Sequence, residues 1–135
     1  MTAHNLVLRL GADAAASLGL DLEQDGDIDR WFIAACLLAG RVRAPLALDA
    51  WRALERAGLV APAALAAAGP ERVARVLDTT GYPKPEGSAI KLARASATLA
   101  EHWQASVTRI AAAADDLDDL GARLAQLAPG IGPAT

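Results

Sequence analysis

Apolar residues recur along most of the chain at the three- and four-residue spacing of α-helices, interrupted at short intervals by glycine and proline. The clearest case is the last one, in which Leu117, Leu120, Leu124 and Leu127 step by three, four and three positions and so share one helical face. The segment 28–39 is apolar on nearly every side, as is typical of a helix in the middle of a domain. The pattern therefore predicts a helical protein with a central buried helix.

Eight helices joined by short links are predicted in this way. Their expected ranges are about 5–18, 28–39, 45–57, 62–68, Pro70 through Leu77, 88–103, 106–113 and 117–127. Leu6, Leu10 and Ala14 share the inward face of the first helix, and Ile90, Ala93, Ala97 and Ala100 are expected to point inward from the sixth.

Short polar residues and glycines are expected to mark the helix ends. Gly19 and Gly58 are placed to end the first and third helices. Asp27 and Ser88 are the expected N-caps of the second and sixth helices, and Asp115 or Asp116 that of the last. Two prolines and two glycines make 81–87 the one strongly irregular loop.

Composition strengthens the all-α prediction. The chain has 135 residues, of which 53% are hydrophobic but only 4% aromatic, and alanine, the best helix former, is abundant. That size fits a single domain, 1–135, with an N-terminal helix and loop in 1–27, a helical bundle in 28–127 and half of a hairpin in 124–135. Trp31, Trp51 and Trp103 are expected in the core.

Charge and cysteine usage limit the chemistry. A single cysteine, Cys36, excludes an internal disulfide and a cysteine-only metal centre, and the helix around it predicts an inert thiol. His4 and His102 have no second ligand at metal spacing. No apolar run is long enough to cross a membrane and no secretory signal opens the chain, so we expect a soluble cytoplasmic protein without a cofactor. The net charge of −3 is unusual for a DNA-binding domain and requires local clustering of the arginines.

The segment 129–135 carries the most specific chemical signal. After the last leucine helix, Pro129-Gly130-Ile131-Gly132-Pro133 would reverse the chain, because glycine tolerates positive φ angles. Ile131 would turn inward, and the backbone N–H groups around Gly132 would point outward together as a site for a phosphate. An ordinary helix-ending turn is the structural alternative.

This segment resembles the hairpin of the endonuclease III-like DNA glycosylases, the helix-hairpin-helix and Gly/Pro-Asp superfamily. The likeness is strongest at 124–135 and extends more weakly to the buried helix 31–40 and to the loop at 81–87 with its following helix. The resemblance implies an all-α bundle of the endonuclease III type and base-excision repair of double-stranded DNA, in which the target nucleotide is flipped out of the duplex.

Particular residues acquire roles through this resemblance. The hairpin residues Gly130, Ile131, Gly132 and Thr135 would contact DNA, and Arg41 would enter the gap left by the flipped base. Arg43, after the same buried helix, is also expected to bind DNA. Apart from the resemblance, Lys84 and Lys91 flank the irregular loop and could reach phosphate. The alternative for these residues is an ordinary solvated side chain, for the arginine beside a helix end. A monovalent cation is expected at the backbone of Leu127, Gly130 and Gly132.

The resemblance also leaves catalysis open. Members with lyase activity carry a lysine where this chain has Ala134, which argues against that chemistry, and the family's catalytic aspartate would lie beyond Thr135. No catalytic residue is therefore assigned, and a further C-terminal segment or a second chain is expected to complete the site. A small helical protein-interaction module, with a purely structural glycine turn, is the competing prediction. Asp115, Asp116, Asp118 and Asp119 suggest a cation site but are more simply explained by helix capping.

Overall fold

Eight α-helices form the fold that the computed structural model describes over residues 3–39 and 42–127. They are Ala3–Leu18 (α1), Asp25–Leu38 (α2), Ala44–Arg56 (α3), Pro62–Ala68 (α4), Pro70–Asp78 (α5), Pro85–Trp103 (α6), Val107–Ala113 (α7) and Leu117–Leu127 (α8). Within these ranges no strand occurs. The all-α prediction and the predicted order of helices are confirmed for this part of the chain.

Glycine and proline set the helix boundaries largely as expected. Gly19 and Gly58 follow α1 and α3 with φ of 70° and 74°, a conformation that glycine adopts without steric cost. Proline stands in the first turn of α3, α4, α5 and α6, where its missing N–H removes no helical hydrogen bond.

Two predicted N-caps are wrong. Helix α2 begins at Asp25, so Asp27 lies inside the first turn, where its carboxylate accepts a hydrogen bond from the Asp21 N–H at 2.9 Å. Helix α6 begins at Pro85, because proline is pre-set for the first helical position, and Ser88 lies one turn further on. Residues 85–87 therefore belong to the helix and shorten the predicted loop.

Asp116 does cap the last helix. Its Oδ1 accepts a hydrogen bond from the Asp119 N–H at 2.8 Å, which satisfies one of the unpaired donors in the first turn of α8. Helix α8 then packs as predicted, with Leu120 and Leu124 fully buried and Leu117 and Leu127 half-buried against the core.

Helix α2 is the centre of the fold. It packs against α1, α3 and α7 and also touches α4 and α6, and it is buried along most of its length. On one side α4 and α5 pack with α6 and α3 packs with α5, and on the other α1 packs with α7 and α8. The largest fully buried side chains come from both sides: Trp51, Phe32, Leu22, Ile28, Ile33, Leu37, Leu54, Leu65, Leu77, Leu99, Ile110 and Leu120.

Trp31 is also buried, as predicted, whereas Trp103 is half-buried at the end of α6. Leu6 faces inward from α1 as predicted, and the side chains of Leu10 and Ala14 lie outside the described part of the structure. No helix in the described ranges is both long enough and apolar enough to span a bilayer.

The predicted inward face of α6 is wrong. Ile90 is 46% exposed, Ala97 and Ala100 are exposed, and Ala93 is half-buried. The buried face consists instead of Ala89, Leu92, Ala95, Ser96 and Leu99. Because alanine fits either face of a helix, the two leucines at 92 and 99 decide which face turns inward, and the alanines follow them.

Candidate nucleic-acid interface

The structure describes the chain as far as Leu127, just before the predicted hairpin. Gly130, Ile131, Gly132 and Thr135 lie outside the described residues, as does Arg41. Of the backbone positions expected to hold a monovalent cation, only Leu127 is described, as the half-buried last residue of α8. Leu124 and Leu120 are fully buried, about one and two turns before Leu127. Their packing in the core therefore fixes the direction of α8 as the chain approaches the sequence of the predicted hairpin.

Two of the four aspartates at the start of α8, Asp116 and Asp119, are occupied by capping hydrogen bonds. The Asp119 carboxylate accepts hydrogen bonds from the Asp115 N–H at 2.8 Å and from the Arg123 Nε at 3.1 Å. The first of these bonds, followed by the contact with Arg123, lowers the pKa of Asp119. Asp116 caps the helix, as described above. Across the described residues, no cluster of three or more His, Cys, Asp or Glu side chains is arranged to hold a metal ion.

Arg43 is the N-cap residue of α3. Its backbone is extended, with φ of −57° and ψ of 136°, and its side chain is exposed. It makes no ion pair with another described residue, so its guanidinium group is available to solvent or to a phosphate. Arg43 is therefore at the surface, as a residue that contacts DNA would have to be.

Lys84 is the N-cap residue of α6 and is also exposed. Its backbone is left-handed, with φ of 47° and ψ of 58°, although it carries a side chain and precedes Pro85. A left-handed conformation costs a residue other than glycine about 1–2 kcal/mol. The loop thus holds Lys84 in a strained conformation at the protein surface.

Tyr82 connects the loop that carries Lys84 to helix α2, a relationship not predicted from the sequence. Its ring is only 4% exposed, and its hydroxyl donates a hydrogen bond to the Leu37 carbonyl at 2.6 Å. Leu37 lies in the last turn of α2, where carbonyls lack a partner within the helix. The bond therefore fixes the loop before α6 to the end of α2, close to the start of α3.

Lys84 and Arg43 each follow one partner of this bond in the sequence. Lys84 follows Tyr82 by two residues, and Arg43 follows Leu37 by six.

A sequence signal for Tyr82 did exist. It is the only tyrosine in the chain, and it stands between Gly81 and Pro83 in an otherwise polar loop. A buried tyrosine usually finds a hydrogen-bond partner for its hydroxyl, so a lone tyrosine in such a loop is a candidate anchor. Its partner, 45 residues earlier in the chain, could not be identified from local spacing.

The remaining chemical groups point to structural roles. Burial raises the pKa of the Cys36 thiol to about 12, which keeps it protonated and unreactive at neutral pH, as predicted. Asp29 in α2 accepts a hydrogen bond from the Val107 N–H at 2.8 Å and so caps α7 from a different helix. Burial of this carboxyl raises its pKa to about 6.

Two open clefts lie elsewhere on the described surface. One, of about 280 Å³, lies beside Arg9 and the aspartates before α8, and the other, of about 380 Å³, lies between Trp103 and Arg109. Neither is lined by Arg43 or Lys84.

Comparison of the chain with protein-family models, with curated protein sequences and with solved structures found no significant match.

Proposed function

We propose that this chain binds duplex DNA through its phosphate backbone and serves base-excision repair in the manner of the endonuclease III-like glycosylases. The supporting observation is the position of α8. Its buried leucines anchor it to the core, and it ends at Leu127, two residues before the Pro-Gly-Ile-Gly-Pro sequence. In this proposal α8 is the first helix of a helix-hairpin-helix in an endonuclease III-type bundle.

A rigid first helix suits this task. Backbone N–H groups can hold a phosphate only if their direction is fixed before binding, because ordering a loose turn would offset the gain. The burial of Leu120 and Leu124 fixes the direction of α8, after which the proposed turn would begin. Contacts made through N–H groups to phosphate position the protein on DNA without reading its sequence. A repair protein that must survey all sequences needs this kind of contact.

The uneven charge of the chain supports a polyanionic partner despite the net charge of −3. Residues 41–94 contain nine basic and five acidic side chains, whereas 1–40 contain two basic and six acidic ones. Arg43 and Lys84 lie within the basic segment, and we assign both to phosphate contacts. Arg41, two residues before Arg43 in the sequence, is assigned to the space that a flipped nucleotide leaves.

Fluorescence anisotropy with a labelled duplex that contains an abasic site tests the proposal. Binding should weaken steeply between about 50 and about 200 mM salt, with a slope of about 0.9 per phosphate contact on a double-logarithmic plot. Substitution of Gly132→Asp should weaken binding severalfold, because a carboxylate would then occupy the phosphate position.

Gly26→Asp is the matched control. It makes the same change in charge in the first turn of α2, where a side chain at Gly26 would meet open space and a negative charge suits the helix dipole. Its binding should equal that of the original chain. Equal binding by Gly132→Asp and Gly26→Asp would refute the hairpin contact.

A helical protein-interaction module is the second candidate function. Ile90 and Leu8 are the large apolar side chains that the described surface exposes, at 46% and 41%, and Ile90 lies on the outer face of the long helix α6. If the chain is such an interaction module, it should not bind duplex DNA even at low salt. Such a result would remove the DNA-binding proposal and leave the interaction module.

A further inference from the structure

The cleft between the end of α6 and helix α7 combines an aromatic ring with basic side chains. Its volume is about 380 Å³. It is lined by His102, Trp103, Gln104, Arg109, Ala112 and Ala113. Pockets that hold small organic molecules measure about 300–1000 Å³, so this cleft is large enough for a small one. No carboxylate lines it, whereas three aspartates line the cleft beside Arg9.

Trp103 differs from the other two tryptophans of the chain. Trp31 and Trp51 are buried, but Trp103 is half-buried and lines the cleft. The Trp51 Nε1 donates to the Arg30 carbonyl at 3.0 Å, whereas the Trp103 Nε1 has no acceptor among the described residues. A partly exposed indole offers a flat apolar surface on which a second ring can stack, together with a free N–H donor.

Arg109 brings a positive charge to the α7 side of the same cleft. Its side chain is exposed, and its guanidinium group makes no ion pair with another described residue. A guanidinium group binds a carboxylate or a phosphate through two parallel hydrogen bonds. On the α6 side, His102 and Gln104 are exposed and add further hydrogen-bond donors.

The two walls of the cleft are held by hydrogen bonds to the rest of the fold. The Ala105 N–H donates to the Leu99 carbonyl at 3.0 Å, which fixes the link that leaves α6. The Val107 N–H donates to the Asp29 carboxylate at 2.8 Å, which fixes the start of α7 to the central helix. A cleft with fixed walls needs little reordering when a ligand binds.

Two helix ends oppose an anion in this cleft, but only weakly. Helices α6 and α7 both end beside it, and a helix C-terminus carries a partial negative charge. Two of the terminal carbonyls are already bonded, that of Trp103 to the Ser106 N–H at 3.1 Å and that of Ala111 to the Ala114 N–H at 3.2 Å. Arg109 carries a full charge and can bond an anion directly, so its attraction outweighs the partial charges.

We propose that this cleft binds a small planar aromatic anion, whose ring stacks on Trp103 and whose charged group is bound by Arg109. A cation would meet the like charge of Arg109, and a neutral apolar molecule would leave the guanidinium group without a partner. An aromatic carboxylate and a phosphorylated base share this chemistry. The site goes beyond the DNA binding proposed above, since none of its residues is assigned to DNA.

Titration of the isotope-labelled chain with naphthoate, followed by NMR, tests the proposal. The readout is the indole N–H signals of the three tryptophans, of which Trp103→Phe identifies one. The Trp103 signal should shift saturably, while the signals of Trp31 and Trp51 stay in place. Naphthamide, which keeps the rings without the charge, should bind about tenfold more weakly. The fully hydrogenated analogue of naphthoate keeps the charge without the aromatic ring and should bind severalfold more weakly.

Arg109→Gln tests the charged contact, because it removes the charge from an exposed helical position and keeps a good helix former. It should weaken the binding of naphthoate about tenfold and leave that of naphthamide unchanged. Arg94→Gln is the matched control, since Arg94 is exposed in α6 and does not line the cleft. Its affinity for naphthoate should equal that of the original chain.

Adenosine monophosphate in place of naphthoate distinguishes the two sources of the anion. Tighter binding of the nucleotide would identify a phosphorylated base, and tighter binding of naphthoate an aromatic carboxylate. The proposal is overturned if neither compound shifts the Trp103 signal saturably, or if all three indole signals shift alike. It is also overturned if naphthamide or the hydrogenated acid binds as well as naphthoate, or if Arg109→Gln and Arg94→Gln bind equally. No DNA is present, so these outcomes leave the proposed function untouched.

Discussion

Gly11 in α1 lies directly against the indole ring of Trp31 in α2, so close that a methyl group on Gly11 would overlap the ring atoms Nε1 and Cε2. Trp31 is only 2% exposed and packed within the core, so the ring has little room to move. The absence of a side chain at Gly11 is what allows the first helix to approach the central helix this closely.

Gly11→Ala should therefore destabilise the protein although alanine is the better helix former. The helix preference favours alanine by about 1 kcal/mol, whereas overpacking a buried contact typically costs about 1–3 kcal/mol. We expect a lower urea midpoint in Gly11→Ala. The control is Gly26→Ala, in the first turn of α2, where a side chain would meet nothing within 4 Å. A midpoint in Gly11→Ala equal to or above that of Gly26→Ala would contradict this packing.

Because the backbone of Lys84 is strained, Lys84→Gly is expected to raise the stability of the protein and to weaken its binding to DNA. Lys84→Gly relieves a conformation that costs about 1–2 kcal/mol, offset in part by the greater freedom of glycine in the unfolded chain, for a net gain of up to about 1 kcal/mol. The same change deletes a proposed phosphate contact and should lower the salt slope of DNA binding by about 0.9.

Lys91→Gly is the matched control for Lys84→Gly. Lys91 is exposed in the interior of α6, where glycine costs about 1 kcal/mol, and its loss removes the same charge. Chemical denaturation and anisotropy on both variants should show Lys84→Gly to be the more stable protein and the weaker binder. The opposite order for binding would place the phosphate contact at Lys91 instead.

Local chemistry made most of the helices predictable. Glycines with positive φ end α1 and α3, prolines open α4 and α5, and the regular leucine spacing of α8 identified its buried face. These signals act over one or two turns, within reach of a sequence pattern. They failed in α6, where alanine is compatible with both faces and the packing of Leu92 and Leu99 decided the orientation.

The candidate site was predictable only in part, for a different physical reason. Arg43 and Lys84 could be identified as exposed cations near helix ends, because charge and proline are local features. The bond from Tyr82 to Leu37 joins residues 45 positions apart, and the cap of α7 depends on Asp29, 78 residues before Val107. Contacts between residues so far apart in the sequence follow from the packing of whole helices, and the spacing of residues along the chain does not reveal them.

Ser96 is a polar residue on the inward face of α6, and it predicts a stabilising substitution. It is fully buried, and its hydroxyl has no hydrogen-bond partner among the described residues. A buried hydroxyl without a partner costs about 1–3 kcal/mol, and alanine is also the better helix former. Ser96→Ala should raise the melting temperature, and a lower value would show that the hydroxyl is bonded in solution.

The raised pKa of Asp29 predicts that its contribution to the stability of the protein is greater at acidic than at neutral pH, the reverse of what an aspartate with a lowered pKa contributes. Its pKa is about 6 in the folded chain, against 3.8 for an unperturbed aspartate, chiefly because of burial. The folded state therefore binds a proton more tightly than the unfolded state, and the contribution of Asp29 to stability grows as pH falls from about 7 towards about 4. Asp119, whose pKa is lowered, contributes in the opposite direction and loses its contribution as pH falls.

Asp29→Asn isolates this contribution, because the amide oxygen can still accept the Val107 N–H while the charge is gone. The variant should be more stable than the original chain at about pH 7, and the difference should shrink steadily towards about pH 4.5. Urea midpoints measured across that range give the comparison directly, since every other titrating group is common to both proteins. A difference that is constant with pH would mean that the Asp29 carboxyl is solvated and titrates normally. A difference that grows on acidification would mean that the bond from Val107 outweighs burial and lowers the pKa of Asp29 in the folded chain.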